Sequence, residues 1–592
     1  MCGIFAVIGE HGVTQIYHRL RHRGPDNTVI RELHLKDGTP VTLGFHRLAI
    51  MDTSCAGDQP LCSPDYPGVY VICNGEIYNW RELAREGGFT MRSSCDCEVI
   101  LHMYNRMSFD RLVSMLDGYF SIILVDCNES RVYAARDIQG VRPLYSGRLP
   151  LGSLALASEM KALAHIADDV AQINPRTIYT ISGNPLYLNI PCHQNARVRI
   201  ETTVLPPISP HMYIGDSGDR VRGTHDATQV QPAWMRTHVN IVNQIAQSGI
   251  QQEFITDAIE ATATLRNLVI KAVTKRCNAD RPMACMLSGG LDSSLVAAIA
   301  ARHLREVAAA KGVAPTKLRT FSIGFGDTAD LHYAKVVANH IGSEHTTVKL
   351  TEADFLAAVE DVIGHIESYD ITSVRASVGH YLLCKYIREN TDCKVVFVGD
   401  YSDEMFGSYQ YAKVCDDPVE FYYDNVKLVN NIHFFDALRS DRCASANGLE
   451  VRVPFADLAL MRYVMRLHPV IKMHHDKCEK WILREAFRDM LPNTVLYRPK
   501  CAFSDGVSDK TRSWSAVITE HVNSFVSEDE FREFASRHAY LTPPTREAFW
   551  YREVYESHYP DMQCIPYFWM PNPKWVPNAT DPSARTLEVN KE

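Results

Sequence analysis

The chain has 592 residues, 46% hydrophobic and 22% charged, with a formal net charge of -9. That is the balance of a globular chain of roughly two to four domains, and with no lysine- or arginine-rich run it argues against nucleic acid as a partner. The start MCGIFAVIGE has no basic leader, no stretch is apolar enough to span a bilayer, and seventeen irregularly spaced cysteines read as reduced thiols, so a cytoplasmic protein without a membrane partner is expected.

Residues 2–190 read as a first domain. CGIFAVIG, PVTLGFHRLAIM, GVYVICNGEIYN and YFSIILVDC are β-rich runs bounded by Gly, Pro or Asp, and WRELAREGG and CEVILHMYNRM interrupt them with helical spacing. The mixture predicts layered sheets with helices on their outer faces, an α+β domain. Residues 191–254 scatter Pro, Gly, Asp and Thr with weak periodicity and read as a connecting segment. From 255 to 592 strands and helices alternate: PMACML, RTFSIGF, HTTVKL and CKVVFVG as strands, with LVAAIAARHLREVAAAKG, LHYAKVVANHIG and EADFLAAVEDVIGHI as helices. Such alternation predicts an α/β domain with a parallel sheet, further helices, and a ligand at the strands' C-terminal ends.

Cys2 leads straight into the first strand. Once Met1 is removed, it carries a thiol and a free α-amine. An amine with a pKa of about 7.7–8.0 is partly neutral at physiological pH and can act as the base for its own side chain. The pair Cys95 and Cys97 invites a metal reading, which is rejected because no second Cys/His pair stands at ligand spacing.

The first domain also contains His22-Arg23-Gly24-Pro25-Asp26, His46-Arg47-Leu48-Ala49-Ile50, Asn74-Gly75-Glu76-Ile77-Tyr78-Asn79, Cys95-Asp96-Cys97-Glu98, Arg136-Asp137 and Ala157-Ser158-Glu159. In this order they resemble the class II glutamine amidotransferases. The resemblance implies an αββα fold of the N-terminal-nucleophile type, with Cys2 attacking the amide of glutamine. It implies that Asn74 and Gly75 supply the oxyanion donors, that Arg47 pairs with the α-carboxylate, that Glu76 and Asp96 hold the α-ammonium, and that Leu48, Ala49, Ile50 and Met51 line the pocket. A guanidinium fork suits a carboxylate, and losing an oxyanion donor typically costs about 10²–10³ in rate.

In the second domain Leu287-Ser288-Gly289-Gly290-Leu291-Asp292-Ser293-Ser294 lies between a predicted strand and a predicted helix. Glycines admit a ligand close to the backbone, and the N–H groups at a helix start attract phosphate. Asp292 would repel bare phosphate, so Mg²⁺ between them is the natural partner. No G-K-[ST] follows, which excludes the Walker loop. The segment resembles the loop of ATP pyrophosphatases, with a Rossmann-like fold. That resemblance places Leu287, Ile323, Val398 and Gly399 against ATP.

Glu367-Ser368-Tyr369-Asp370 with Thr372 and Arg375, then Ser402-Asp403-Glu404, Gly448-Leu449-Glu450-Val451-Arg452-Val453-Pro454-Phe455 and Arg498-Pro499-Lys500 before Phe503-Ser504-Asp505-Gly506 are similar to the asparagine synthetases. The similarity implies that glutamine, aspartate and ATP are substrates and that the chain forms a homodimer. It implies that Asp292 and Asp403 bind Mg²⁺, that Lys500 neutralises phosphate charge, and that Thr372 and Arg375 position an acyl-adenylate. Two positions depart from that family's SGEGSDE motif: Asp400 replaces a glutamate near the reacting centre, and Tyr401 replaces a glycine. If position 401 needs φ > 0, tyrosine brings strain or a different turn. Val378-Gly379-His380 differs from the usual TPM as well. These changes leave a different carboxylate acceptor, or a non-catalytic member of the fold, as alternatives.

Overall fold

Gly3–Ile8 (β1) is buried at every position, as a strand covered on both faces must be. It lies inside a sheet between β3 (Pro40–Arg47) and β9 (Leu154–Ala157), both antiparallel to it. The structure is a computed structural model that describes residues 1–10, 14–183, 198–205, 222–223, 254–474, 478–508, 512–537 and 540–583. The chain divides into two compact units, Met1–Gln251 and Gln252–Glu592.

The first unit has two antiparallel sheets. One adds β2 (Asn27–His34), β8 (Tyr145–Arg148) and β10 (Asp168–Gln172) in the order β10-β8-β9-β1-β3-β2. The other runs β13-β12-β11-β7-β6-β5-β4, from β4 (Leu61–Ser63), β5 (Tyr66–Ile77), β6 (Gly118–Asp126), β7 (Arg131–Arg136), β11 (Thr177–Gly183), β12 (Val198–Val204) and β13 (Arg222–Gly223). Alternation along the strands sorts the cores. Ile4, Ala6 and Ile8 meet Ile72, Ile123 and Val125 between the sheets. Val71, Cys73, Ile122 and Leu124 face Leu83, Val99, Ile100 and Leu112 from helices Trp80–Gly87, Val99–Tyr104 and Phe109–Met115. Helix Thr14–Leu20 packs on β1. The result is the expected α+β layering, αββα. Within the segment read as a connection, Val198–Val204 is instead a strand paired with all of β11. Most of the rest of 191–254 lies outside the described residues.

The second unit carries five parallel strands in the order β16-β15-β14-β17-β18, namely β14 (Met283–Met286), β15 (Arg319–Phe325), β16 (Glu344–Leu350), β17 (Val395–Phe397) and β18 (Glu450–Arg452). Helices Leu291–Ala310, Ala329–Ile341 and Ile371–Asn390 link or follow them. The chain runs outward from β14 to one edge and returns to the other side through β17, so the loops after β14 and β17 open side by side. That reversal is where open α/β sheets bind ligands. β18 was legible only as a motif. Its pairing with β17 depends on a partner more than fifty residues upstream in sequence, and local spacing does not report it. No described helix is long and apolar enough to cross a membrane.

Candidate active sites

In the first unit the Cys2 thiol sits at the end of β3. It accepts from the Leu48 backbone N–H at 3.4 Å and lies 3.7 Å from the Leu48 carbonyl. The Arg23 guanidinium donates to the Cys2 carbonyl at 2.9 Å and is itself paired with buried Glu159. Thus the His22–Asp26 and Ala157–Glu159 motifs hold the base of β1, and the Asp26 carboxylate accepts from the Ala49 N–H at 2.9 Å. Met1 precedes Cys2 with its side chain buried against Arg142.

Asn74 and Gly75 stand near the end of β5, opposite Ser121 and Phe120 of β6. A Cβ on Gly75 would lie 2.0 Å from the Tyr119 carbonyl oxygen, so no larger residue fits there. Asn74 is fully buried, and among the described residues neither its amide nitrogen nor its amide oxygen has a hydrogen-bond partner. Leaving a buried polar group unmatched costs about 1–3 kcal/mol, so an amide tolerated in this state is available to a substrate. Glu76 and Asp96 are buried on the same motifs, and the Asp96 carboxylate accepts from the Ile77 N–H at 2.5 Å. Leu48, Ala49, Ile50 and Met51 are all buried. Arg47 is bound into its own loop. Its guanidinium donates to the Ser54 carbonyl at 2.6 Å, Asp58 at 2.7 Å, and the carbonyls of Met51 and Asp52. Arg136 and Asp137 shape the adjoining turn through the carbonyls of Gly140 and Arg142 and the N–H groups of Val141 and Arg142.

In the second unit one cavity at the ends of β14 and β17 is lined by Leu287, Ser288, Gly290, Asp292, Ser293, Ile323, Val398, Gly399, Asp400, Asp403, Thr372 and Lys500. Two members expected of the phosphate loop do not reach it. Gly289 has φ 72°, and a Cβ there would lie 2.4 Å from the Ala334 backbone nitrogen, so it shapes the turn from behind. Ser294 is buried in the first turn of its helix, with no partner for its hydroxyl among the described residues. The loops after β14 and β17 touch closely: a Cβ on Gly399 would meet the Ser293 N–H at 2.8 Å.

Charge organises this cavity. The Lys480 ammonium donates to Asp292 and to Asp403, 2.6 Å in each case, and Lys500 binds the other Asp403 oxygen. Ser402 donates to Asp292 at 2.7 Å. Burial alone would raise the Asp403 pKa, but the two ammonium groups outweigh it and hold the carboxyl far below its usual range. Lys500, which burial would lower, is raised by Asp403 and Asp292. Arg439 fixes Asp400 at 3.0 Å, with Ser440 on its second oxygen, and also binds Asp436 and His380. Burial, then the Arg439 charge, brings His380 down to about 3, so its Nδ1 accepts as a neutral ring. Tyr401 has φ 77° and ψ -15°, the left-handed conformation that a glycine adopts without strain.

Arg375 does not line the cavity. Both terminal nitrogens and Nε are taken by Glu547, at 2.7 and 2.6 Å, and Asp581, at 3.0 and 2.8 Å. Thr372, Ala376 and His380 carry the helix face that lines the cavity; Arg375 stands beside that face, and two carboxylates contributed from 547 and 581 decide its partner. Lys480, Arg439 and Asp436 line the cavity without having been singled out from sequence, and none lies in a glycine-rich or strand-end motif. Glu404 and Arg498 line it as well; they were quoted only within the Ser402-Asp403-Glu404 and Arg498-Pro499-Lys500 motifs, with no role of their own.

The matching family models are Glutamine amidotransferase domain, over residues 1–198, and Asparagine synthase, over 264–418 and 425–573. The chain is 36% identical over 598 residues to a glutamine-hydrolyzing asparagine synthetase of Homo sapiens, covering 99% of this chain and 98% of the relative. It is 36% identical over 595 residues to one of Bos taurus, with the same two coverages, and 34% identical over 608 residues to one of Gallus gallus, covering 100% and 99%. With both family models matched in order and relatives alike from end to end, the chain belongs to the glutamine-hydrolysing asparagine synthetase family.

Proposed function

We propose that the chain makes asparagine from aspartate, glutamine and ATP. Removal of Met1 frees the Cys2 amine, which takes the thiol proton. The thiolate adds to the side-chain amide of glutamine, and Asn74 and the Gly75 N–H donate to the oxygen that becomes negative. Ammonia leaves, and water releases glutamate from the thioester. Arg47, Glu76 and Asp96 fix the amino-acid end of glutamine among Leu48, Ala49, Ile50 and Met51. In the second unit the Ser288–Ser294 loop holds ATP phosphates, with Leu287, Ile323, Val398 and Gly399 against the nucleoside. The β-carboxylate of aspartate attacks the α-phosphorus, pyrophosphate leaves, and ammonia displaces AMP. Lys500 meets the charge of the departing pyrophosphate. Thr372 and Asp400 stand at the acceptor end.

The observation that carries this reading is the ammonium group held between Asp292 and Asp403 in the phosphate loop's cavity. Two carboxylates arranged around one cation suit Mg²⁺, which takes one or two carboxylates and completes its shell with substrate phosphates. When bound there it would neutralise phosphate charge. Cytoplasmic location, a homodimer and the lack of a membrane partner complete the proposal, and the net charge of -9 without a basic run supports the lack of a nucleic-acid partner.

The test is pyrophosphate release with ammonia and either aspartate or another dicarboxylic or amino acid. Aspartate alone should stimulate it. Stimulation by a different acid and none by aspartate would transfer the reading to another acceptor. Cys2→Ala should abolish glutamine use and spare ammonia-dependent synthesis.

A further inference from the structure

Two walls of the second unit's cavity are tied together from behind by a late turn of the chain. One wall is helix Ile371–Asn390, which presents Thr372, Ala376 and His380. The other is the stretch Pro499–Ser504, which carries Lys500 and runs into the single turn Phe503–Gly506. Beside the first wall, the Asp581 carboxylate accepts from both terminal nitrogens of Arg375, at 3.0 and 2.8 Å. Two residues on, the Ser583 hydroxyl donates to the Asp505 carboxylate at 3.0 Å. The two contacts share one turn. Asp581 also accepts from the Ser583 N–H at 2.7 Å, and Pro582 between them has its φ fixed by its ring. Arg375, Asp505 and Ser583 are all buried. Thus partners 206 and 78 positions away in sequence are joined through three residues. The walls also meet directly: a Cβ on Gly379 would lie 3.2 Å from Val507 and 3.4 Å from Phe503, so a shift of one reaches the other.

We propose that Asp581 and Ser583 are positioning residues of the synthesis site: they clamp the Lys500 stretch to helix Ile371–Asn390 and so set where the Lys500 ammonium stands. The inference rests on the reading of Lys500 as the group that meets the charge of the departing pyrophosphate. Neither Asp581 nor Ser583 lines the cavity, and both act through Lys500. The Arg375 fork accepts a carboxylate through two parallel bonds, which fixes orientation as well as contact. Glu547 takes its other edge, at 2.7 and 2.6 Å, so the guanidinium cannot turn and Asp581 docks in one pose. On the far wall, the Gln410 amide holds the Lys500 carbonyl at 3.0 Å and the Phe325 N–H holds the Val507 carbonyl at 2.9 Å. The Ser583 bond falls between these two, on the turn that links them. Misplacing a reacting group by about 1 Å can cost about 10²-fold, so releasing one anchor among several should cost about tenfold.

The experiment compares the full chain with its Ser583→Ala and Asp581→Ala variants in ammonia-dependent synthesis. Each variant should lower kcat about tenfold and leave KM for ATP within about twofold, because Lys500 acts as pyrophosphate departs rather than as ATP binds. The second arm combines Ser583→Ala with Lys500→Ala. A clamp that works through Lys500 predicts a double variant no slower than Lys500→Ala alone. Losses that multiply would overturn the proposal, as would kcat within about twofold of the parent in both single variants. A KM for ATP that rises in step with the lost kcat would also overturn it, since that is the mark of a pocket merely loosened. Should Asp581→Ala not fold, Ser583→Ala, which removes one hydroxyl, still decides alone and in the double variant. A Lys500→Ala protein as fast as the parent would sink the reading of Lys500 and the clamp with it, whereas the other adverse results sink the clamp alone.

Discussion

Replacing Asn74 by alanine should move activity and stability in opposite directions. The amide is fully buried with both polar atoms unmatched. Each unmatched group costs roughly 1–3 kcal/mol in the resting protein, whereas the small void left by alanine costs about 1–2 kcal/mol. The first unit should therefore be unchanged or more stable by about 1 kcal/mol or more. Glutaminase turnover should fall about 10²–10³-fold, the usual loss for an oxyanion donor, while ammonia-dependent synthesis stays within twofold. Glutamate release without ATP, asparagine formation from ammonium salt, and thermal unfolding of the two units measure the three quantities. A lower unfolding temperature that parallels the lost activity would show that Asn74 is a structural residue. Glutaminase within tenfold of the parent would remove it from the oxyanion site.

Lys500→Ala should reduce synthesis about 10²-fold or more with either nitrogen source and leave glutaminase intact, because Lys500 closes the charge of Asp403 in the second unit alone; glutaminase lost to the same degree would refute this. Tyr401→Gly relieves about 1–2 kcal/mol of left-handed strain but removes a buried aromatic side chain worth about 3–5 kcal/mol. Packing wins, and denaturant melts should show a net loss of about 2 kcal/mol; a more stable glycine variant would contradict the balance. Asp457 is buried between Arg276 and Lys275. Burial raises its pKa, but the two cations outweigh that and bring it down to about 2. Its contribution, about 2 kcal/mol, is complete above the ordinary carboxylate pKa near 4 and is lost as pH falls through about 2. Asp457→Asn, which keeps the cap on helix Leu458–Arg466, should flatten stability against pH in that interval, and an unchanged slope would refute the pairing.

What the chain announces by itself is whatever depends on neighbours in sequence. β-rich runs bounded by Gly, Pro or Asp become β1, β3, β5 and β6, and strand–helix alternation becomes the parallel sheet, because a strand covered on both faces needs apolar residues nearly throughout. The SGGLDSS turn is legible for the same reason: its glycines, acid and helix start act within eight residues. Even the strain at Tyr401 follows from the glycine it replaces.

Other features exist only once distant segments meet. Lys480 between Asp292 and Asp403, Arg439 on Asp400, and the capture of Arg375 by Glu547 and Asp581 join residues from separate elements. No local pattern encodes such pairs, since each is set by the order of strands and the path of the loops. A charge takes its role from the field of its final neighbours, and that field is a property of the folded chain alone.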